Sequence, residues 1–443
     1  MCGHGGLSSL SVHALVLAAG VGKRLWPLTS TRPKPLMPLP GGGSLLSRLL
    51  TQLEGIVDGV TVVVSPGEPG RLVVGEAERV FGAVRVAYQE RRLGTGDAVR
   101  IGLKQVPRSA DRVLIIYGDL FVSRDLLASV ADYDAAVAAV PSSEPWNYGV
   151  VYSKDGCLER VVEKPRGAAP GSLVNTGIYV LPRSELEPLI ADIKLSPRGE
   201  YELTDVVNAL ASRVCVRVVS DSGWFWIDVG RPWDLFKVYK QFFGEVEKRI
   251  EGEVEPGAVV KGEVYVAPQA VVRSGSIVEG PAWIEGEVGP LARIRPWSFL
   301  LRGSRAGAFT EVKASIFFPH ARAPHLNYVG DSILGEGVNL GAGTVTANLR
   351  FDHSTVKVTL KGKLVDTGLK KLGTIFGDWS QTGINVSLLP GTRVGAYSWV
   401  YPGITVKGDI PDCSLAVSSG GKILFKDLSA SVECKLISRG PPS

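Results

Sequence analysis

The chain has 443 residues, 45% hydrophobic and 21% charged, with a formal net charge of +5 from 49 basic and 44 acidic side chains. That length supports two or three domains with proper cores, and the diffuse charge excess excludes a nucleic-acid surface built on a basic run. No apolar stretch approaches a membrane span, and residues 1–11 read as a tail without the charged and apolar regions of a signal peptide. The expectation is a cytoplasmic protein with neither nucleic acid nor membrane as partner. Cys2, Cys157, Cys215, Cys413 and Cys434 show no CxxC and no metal spacing. They read as reduced, buried thiols, with a Cys413–Cys434 disulfide as the exception that a hyperthermophilic source allows.

Residues 12–230 alternate short apolar runs with helical patterns. The runs 15–17, 60–64, 113–116 and 135–140 predict strands, and the segments between them crossover helices. This is the pattern of a Rossmann-like layered α/β domain with a mostly parallel sheet, whose ligands bind beyond the carboxyl ends of the strands. The first run feeds Ala18, Ala19 and Gly20, and then Gly22, Arg24 and, between prolines, Lys34. Glycines let the backbone turn and present N–H groups to an anion, while Arg24 and Lys34 add fixed charge. No third glycine follows at the Rossmann offset, and the Gly-Lys-Ser/Thr ending of a Walker loop is absent. Downstream, Tyr117-Gly118-Asp119 and Trp226-Ile227-Asp228 each place a carboxylate after an apolar run. Two such oxygens suit Mg²⁺ with phosphates completing its shell; alone, Asp119 fits a turn residue or helix cap equally well.

Residues 231–251 predict a linker helix, with Leu235, Val238, Tyr239, Phe242, Val246 and Ile250 on one face. From 252 to 426 the period becomes six. Val254, Val260, Val266, Val272, Val278 and Ile284 form one series, and Val288, Ile294, Leu300, Ala306, Val312 and Phe318 a second. Leu334, Leu340 and Thr346 form a third, and Phe376, Thr382, Leu388, Val394, Val400 and Val406 a fourth. Such hexads predict a left-handed parallel β-helix with aliphatic residues pointing inward, interrupted by an insertion at 350–373 and followed by a tail at 427–443.

The order Gly-Val-Gly-Lys-Arg-Leu, Pro27-Leu28-Thr29, Pro33-Lys34-Pro35-Leu36 resembles the signature of sugar-1-phosphate nucleotidylyltransferases. The resemblance implies that Gly20, Gly22, Arg24 and Lys34 handle the triphosphate, and that Asp119 and Asp228 bind the metal. Gln89, Gly94 and Thr95 resemble the segment that reads uracil or thymine in UTP or dTTP. The motifs around Gly149, Glu163-Lys164 and Asn175 resemble those that hold the sugar and its phosphate. The stretch 323–349, APHLNYVGDSILGEGVNLGAGTVTANL, resembles the acetyltransferase half of the bacterial bifunctional enzyme that makes UDP-N-acetylglucosamine. It implies His325 as general base, Arg295, Lys313, Tyr328 and Asn339 on the amino sugar phosphate, and Ala342 and Asn348 on acetyl-CoA. It also implies a homotrimer through the β-helix. Leu349 departs from that pattern in place of an aromatic residue and Ser354 in place of a lysine, for which Lys357 is the candidate substitute. Lys361, Lys363, Lys370 and Lys371 of the insertion either reach the CoA phosphates or are solvated.

The favoured reading is a bifunctional enzyme that acetylates glucosamine 1-phosphate and couples the sugar phosphate to UTP or dTTP. One alternative is a glucose-1-phosphate thymidylyl- or uridylyltransferase whose β-helix only trimerises. A non-catalytic subunit is disfavoured by the joint presence of Arg24, Lys34, Asp119, Lys164 and Asp228.

Overall fold

The computed structural model describes residues 11–360, 362–430 and 434. Cys2, Lys361 and the tail beyond 430, apart from Cys434, lie outside them. The chain forms two compact units. One holds the residues up to Val21, Pro33–Met37 and Ser44–Asp228; the other holds Gly22–Arg32, Pro38–Gly43 and the chain from Val229 onward.

The first unit is built on a nine-stranded sheet in the order Arg85–Tyr88, Gly59–Val64, Val12–Leu17, Arg112–Tyr117, Leu173–Pro182, Ala136–Pro141, Arg217–Val219, Cys157–Glu163, Gly149–Lys154. The first four strands are mutually parallel, as the apolar runs predict. Leu173–Pro182 then enters antiparallel to both of its neighbours, and the hairpin 149–163 closes the far edge. The sheet is therefore mixed rather than mostly parallel. The hairpin turns the chain back, so the next long strand arrives from the opposite direction.

Helices α1 (Leu45–Leu53), α2 (Glu68–Phe81), α3 (Thr95–Leu103), α4 (Arg124–Ala131), α5 (Arg183–Ala191) and α6 (Leu203–Ala211) complete the layers. Side chains of α1, α2 and α4 pack on one face of the sheet and those of α3, α5 and α6 on the other. This is why the strands carry aliphatic residues at consecutive positions: both faces are covered.

In the second unit α7 spans Asp234–Glu245 and buries Leu235, Val238, Tyr239 and Phe243. It is shorter than the periodicity implies, ending just past Gly244. Val246 has extended backbone, and Ile250 is exposed and bridges to Val266. The β-helix follows as three parallel sheets. One inward ladder runs Val266, Ile284, Leu300, Phe317, Leu334, Phe376, Val394, Ile410, each residue in register with the next. The hexad series is borne out except at Phe318, since Phe317 occupies the rung above Leu300. The coil loses one residue between Val312 and Phe317, which shifts the phase. Phe318, also buried, instead lies beneath the Arg32 guanidinium, 5.6 Å from the ring centre.

The insertion forms the antiparallel hairpin Lys357–Leu360 with Lys363–Asp366, and it buries Val356, Val358 and Leu372. Beyond the last coil, Lys422–Asp427 pairs back on Ser414–Ser419.

Cys157 and Cys215 correct the thiol reading, while the Cys413–Cys434 exception is present. Cys157 is disulfide-bonded to Cys215 and Cys413 to Cys434. Sequence separations of 58 and 21 residues close sizeable loops in the unfolded chain. Loop-closure entropy assigns these about 4 and about 3 kcal/mol. Thermal unfolding with and without a reductant is expected to show a fall in Tm on the order of 10 °C; an unchanged Tm would remove the disulfides from the stability argument.

Candidate active sites

In the first unit the strand Arg112–Tyr117 hands on to Gly118 and Asp119. The N–H of Gly118 donates to Leu17 O at 2.9 Å, so this turn lies against the end of the first strand. A Cβ on Gly118 would sit 3.2 Å from both Ala18 Cβ and Val16 Cγ1, which is why glycine stands there. The strand Trp226–Asp228 pairs antiparallel with Leu120–Val122, with Asp228 opposite Leu120. That register puts the second carboxylate beside the first. Lys34, buried on the single turn Lys34–Leu36, reaches both: Nζ contacts Asp119 and donates to Asp228 Oδ1 at 3.3 Å.

An ammonium shared by two carboxylates marks a point at which hard oxygens converge. The donor set fits a divalent oxygen-preferring cation such as Mg²⁺. Asp119 and Asp228 would hold it.

Gln89 is buried and its Nε2 donates to Gly94 O at 3.1 Å and Asp97 Oδ2 at 3.0 Å. The expected base-reading amide is thus occupied on its donor side, and only its carbonyl oxygen is left to read a base edge. Gly94 has φ of +103°, and a Cβ there would meet Tyr201 O at 2.5 Å. The close approach of 201 demands glycine. Thr95 accepts from the Leu203 N–H at 3.2 Å. Gly20 is exposed at the loop opening, with Ala19 O held by Ser65 Oγ at 2.9 Å.

The sugar motifs fall on adjoining strands. Glu163 lies in register with Gly149, where a Cβ would come within 3.1 Å of Glu163 Oε1. Burial pushes the Glu163 carboxyl up, with Arg198 opposing. Lys164 is exposed and adopts φ of +48°, its N–H donating to Tyr148 O at 2.9 Å. A non-glycine residue in the left-handed region holds local strain. Asn175 accepts from the Gly177 N–H at 3.1 Å and donates to the Tyr179 hydroxyl. Trp226, two residues from Asp228, was not singled out by its motif. Its Nε1 donates to Thr176 O at 2.9 Å and its ring meets Tyr148 edge-on, linking the carboxylate strand to the sugar strands.

In the second unit Gly22, with φ of +68°, opens the short turn Lys23–Leu25. Arg24 is exposed there, and its Nη2 would lie 3.4 Å from a Cβ on Gly230. Within the β-helix, Lys313, Tyr328 and Asn348 gather on one face around Asp331. Lys313 Nζ donates to Asp331 Oδ2 at 3.0 Å, Asn348 Nδ2 donates to the same oxygen, and Tyr328 OH accepts from Asn348 at 3.4 Å. Arg295 lies on the rung next to Lys313 and pairs with Glu311 at 2.8 Å. Each expected phosphate cation is therefore charge-compensated by a carboxylate of its own.

His325 ends the strand Arg322–His325 on the neighbouring face, which also carries Asn339, and its imidazole is exposed. The corner between the faces is pinned by Asn327. Its Oδ1 accepts from the His325 N–H at 3.2 Å and its Nδ2 donates to Gly341 O at 2.8 Å, just before Ala342. Asp331 and Asn327 both lie in the Asn327–Asp331 segment around Tyr328, which was the signal available for finding them. The insertion returns beside this site, as Leu372 N donates to Asn348 O at 3.0 Å.

A model of the nucleotidyl transferase family matches residues 13–243. A Sulfurisphaera tokodaii protein named bifunctional sugar-1-phosphate nucleotidylyltransferase/acetyltransferase is 38% identical over 411 residues, covering 90% of this chain and 98% of that protein. The bifunctional protein GlmU of Methanocaldococcus jannaschii is 38% identical over 418 residues, 94% of this chain and 99% of its own length. GlmU of Bartonella quintana is 27% identical over 459 residues, 96% and 97% respectively.

Proposed function

The chain belongs to the bifunctional sugar-1-phosphate nucleotidylyltransferase/acetyltransferase family, and on that footing we propose that it makes UDP-N-acetylglucosamine, or its dTDP counterpart, from glucosamine 1-phosphate. Full-length relatives named for two activities favour this over a β-helix that only trimerises. The observation that carries the nucleotidyl half is Lys34 bound by both Asp119 and Asp228.

In the first reaction the amine lone pair of glucosamine 1-phosphate attacks the acetyl-CoA carbonyl. His325 takes the amine proton as the C–N bond forms, and the proton leaves with the CoA thiolate as the C–S bond breaks. Arg295 and Lys313 receive the sugar phosphate, Tyr328 and Asn339 the sugar hydroxyls, and Ala342 and Asn348 the acetyl-CoA. In the second, a phosphate oxygen of the N-acetylated sugar 1-phosphate attacks the α-phosphorus of the nucleoside triphosphate and pyrophosphate leaves. Arg24 and Lys34 hold the triphosphate with the N–H groups of Gly20 and Gly22. Gln89, Gly94 and Thr95 form the base pocket, Gly149, Glu163 and Asn175 bind the sugar, and Lys164 meets its phosphate. Mg²⁺, when bound at Asp119 and Asp228, neutralises charge on the triphosphate.

Residues 12–230 thus form the nucleotidylyltransferase domain, 231–251 the linker and 252–426 the acetyltransferase domain. A homotrimer through the β-helix is supported by exposed apolar side chains stacked at one corner beside His325: Leu291, Phe309 and Leu326 on successive coils. Among the described residues no helix is long and apolar enough to cross a membrane. The substrates place the enzyme in the cytoplasm, and paired cysteines are compatible with that in a hyperthermophile.

The test is to incubate the protein with acetyl-CoA, UTP, Mg²⁺ and a panel including glucosamine, galactosamine and glucose 1-phosphates. CoA release with an amino sugar phosphate and formation of the N-acetylated nucleotide sugar are expected. Nucleotide sugars formed without CoA release from any amino sugar would leave only the nucleotidyl half standing.

A further inference from the structure

The inner ladders of the β-helix are largely apolar, yet the buried Asp378 and the half-buried Asp412 stand beside them. Asp378 is 1% exposed. One oxygen accepts from the Glu336 N–H at 2.8 Å, and the other accepts from Arg32 Nε at 3.1 Å and from the Thr31 hydroxyl. Arg32 Nη2 also donates to Glu336 Oε2 at 2.8 Å. Asp412 accepts from Trp26 Nε1 at 3.1 Å, from Ser30 Oγ at 2.9 Å and from the Ala396 N–H at 2.7 Å. The Trp26 ring lies under the Arg393 guanidinium, 4.7 Å from its centre, and Arg393 is held by Asp409 at 2.8 Å. A Cβ on Gly377 would meet Ala396 N of the next coil at 2.6 Å and also lie 3.0 Å from Pro27 Cβ, so the loop packs directly on the coil there.

Among the described residues, apart from one backbone N–H each, every donor to these two acids comes from residues 26–32. A buried charge is tolerated only when paired and fully hydrogen-bonded. The β-helix core, closed by its own ladders, has no need of such groups.

We infer that Asp378 and Asp412 are positioning residues for nucleotidyl transfer, fixing the loop Gly22–Arg32 and with it Arg24. The inference rests on the assignment of Arg24 to the triphosphate. Neither acid touches a substrate. Together they hold the loop at two anchors just C-terminal to Arg24, the exposed cation assigned to the triphosphate: Trp26 with Ser30 on Asp412, and Thr31 with Arg32 on Asp378. Misplacement of a positioned group by an ångström costs about a hundred-fold in rate.

The experiment uses the full-length enzyme with Asp378→Asn and Asp412→Asn, singly and together. Pyrophosphate release and CoA release are measured on the same preparation. The kcat for nucleotidyl transfer is expected to fall about ten- to a hundred-fold, while kcat for acetyl transfer stays within about two-fold. Trp26→Phe, which keeps the ring on Arg393 and removes only the donor to Asp412, is expected to give a smaller loss in the same direction. Asp378→Glu, restoring the charge, is expected to recover part of the activity. Unchanged nucleotidyl transfer, or a parallel loss of both activities, overturns the inference. A wild-type enzyme that releases no pyrophosphate with any sugar phosphate would instead sink the functional reading beneath it.

Discussion

Replacing His325 with alanine is expected to lower acetyl transfer by about three orders of magnitude and to leave pyrophosphate release unchanged. The amine of glucosamine 1-phosphate becomes positively charged as it attacks the thioester, and it must lose a proton for the amide to persist. A neutral imidazole near pH 7 is suited to accept it. The His325 ring is exposed at the end of its strand while its backbone is held through Asn327, so the base is presented without a side-chain tether. Because His325 receives a proton and does not hold the phosphate, the loss should appear in kcat, with KM for both substrates little changed. Asn327→Ala keeps the imidazole but frees its backbone and the Gly341 carbonyl, so a smaller fall in kcat is expected. An H325A enzyme that still releases CoA at the wild-type rate would place the base elsewhere.

What the sequence made legible followed from local repetition. The inward residues of the β-helix recur at fixed spacing because each face of the coil has the same length, so the sequence alone places Val266, Ile284 and Leu300. The same logic failed at Phe318, where one residue is lost at a corner and the phase slips to Phe317. Lys34, Asp119 and Asp228 were recognisable because each follows a strand or a proline-framed turn, yet their convergence depends on a pairing register that no spacing encodes. Asp378 and Asp412 carry no motif at all. Their partners lie more than three hundred residues earlier in the chain, and neither periodicity nor spacing links the two ends. The Cys157–Cys215 disulfide was illegible for a related reason, since connectivity among five cysteines is a property of the folded chain, whereas the sequence leaves the Cys413–Cys434 pairing open.

Replacing Lys34 with methionine is expected to lower nucleotidyl transfer by about two to three orders of magnitude while sparing acetyl transfer. Both reactants are anions, and the attacking oxygen must approach a phosphorus already surrounded by negative charge. A buried ammonium in a low-dielectric setting stabilises that charge far more than a solvated one. Lys34 is 7% exposed, and its charge is held in place by Asp119 and Asp228. Methionine keeps the length and apolar stem of lysine, so packing on the turn Lys34–Leu36 is preserved. It also leaves the two carboxylates facing each other without a cation, which costs stability in a metal-free preparation. The two effects separate by measurement. If Lys34 served only to neutralise Asp119 and Asp228, the methionine variant would lose Tm without Mg²⁺, regain it with Mg²⁺, and retain its turnover. If Lys34 acts on the triphosphate, Tm recovers with Mg²⁺ but kcat does not. Arginine at this position would not rescue the rate, because its planar fork cannot replace a compact ammonium between two carboxylates. A K34M enzyme with wild-type kcat would assign the triphosphate to other groups and reduce Lys34 to a structural ion pair.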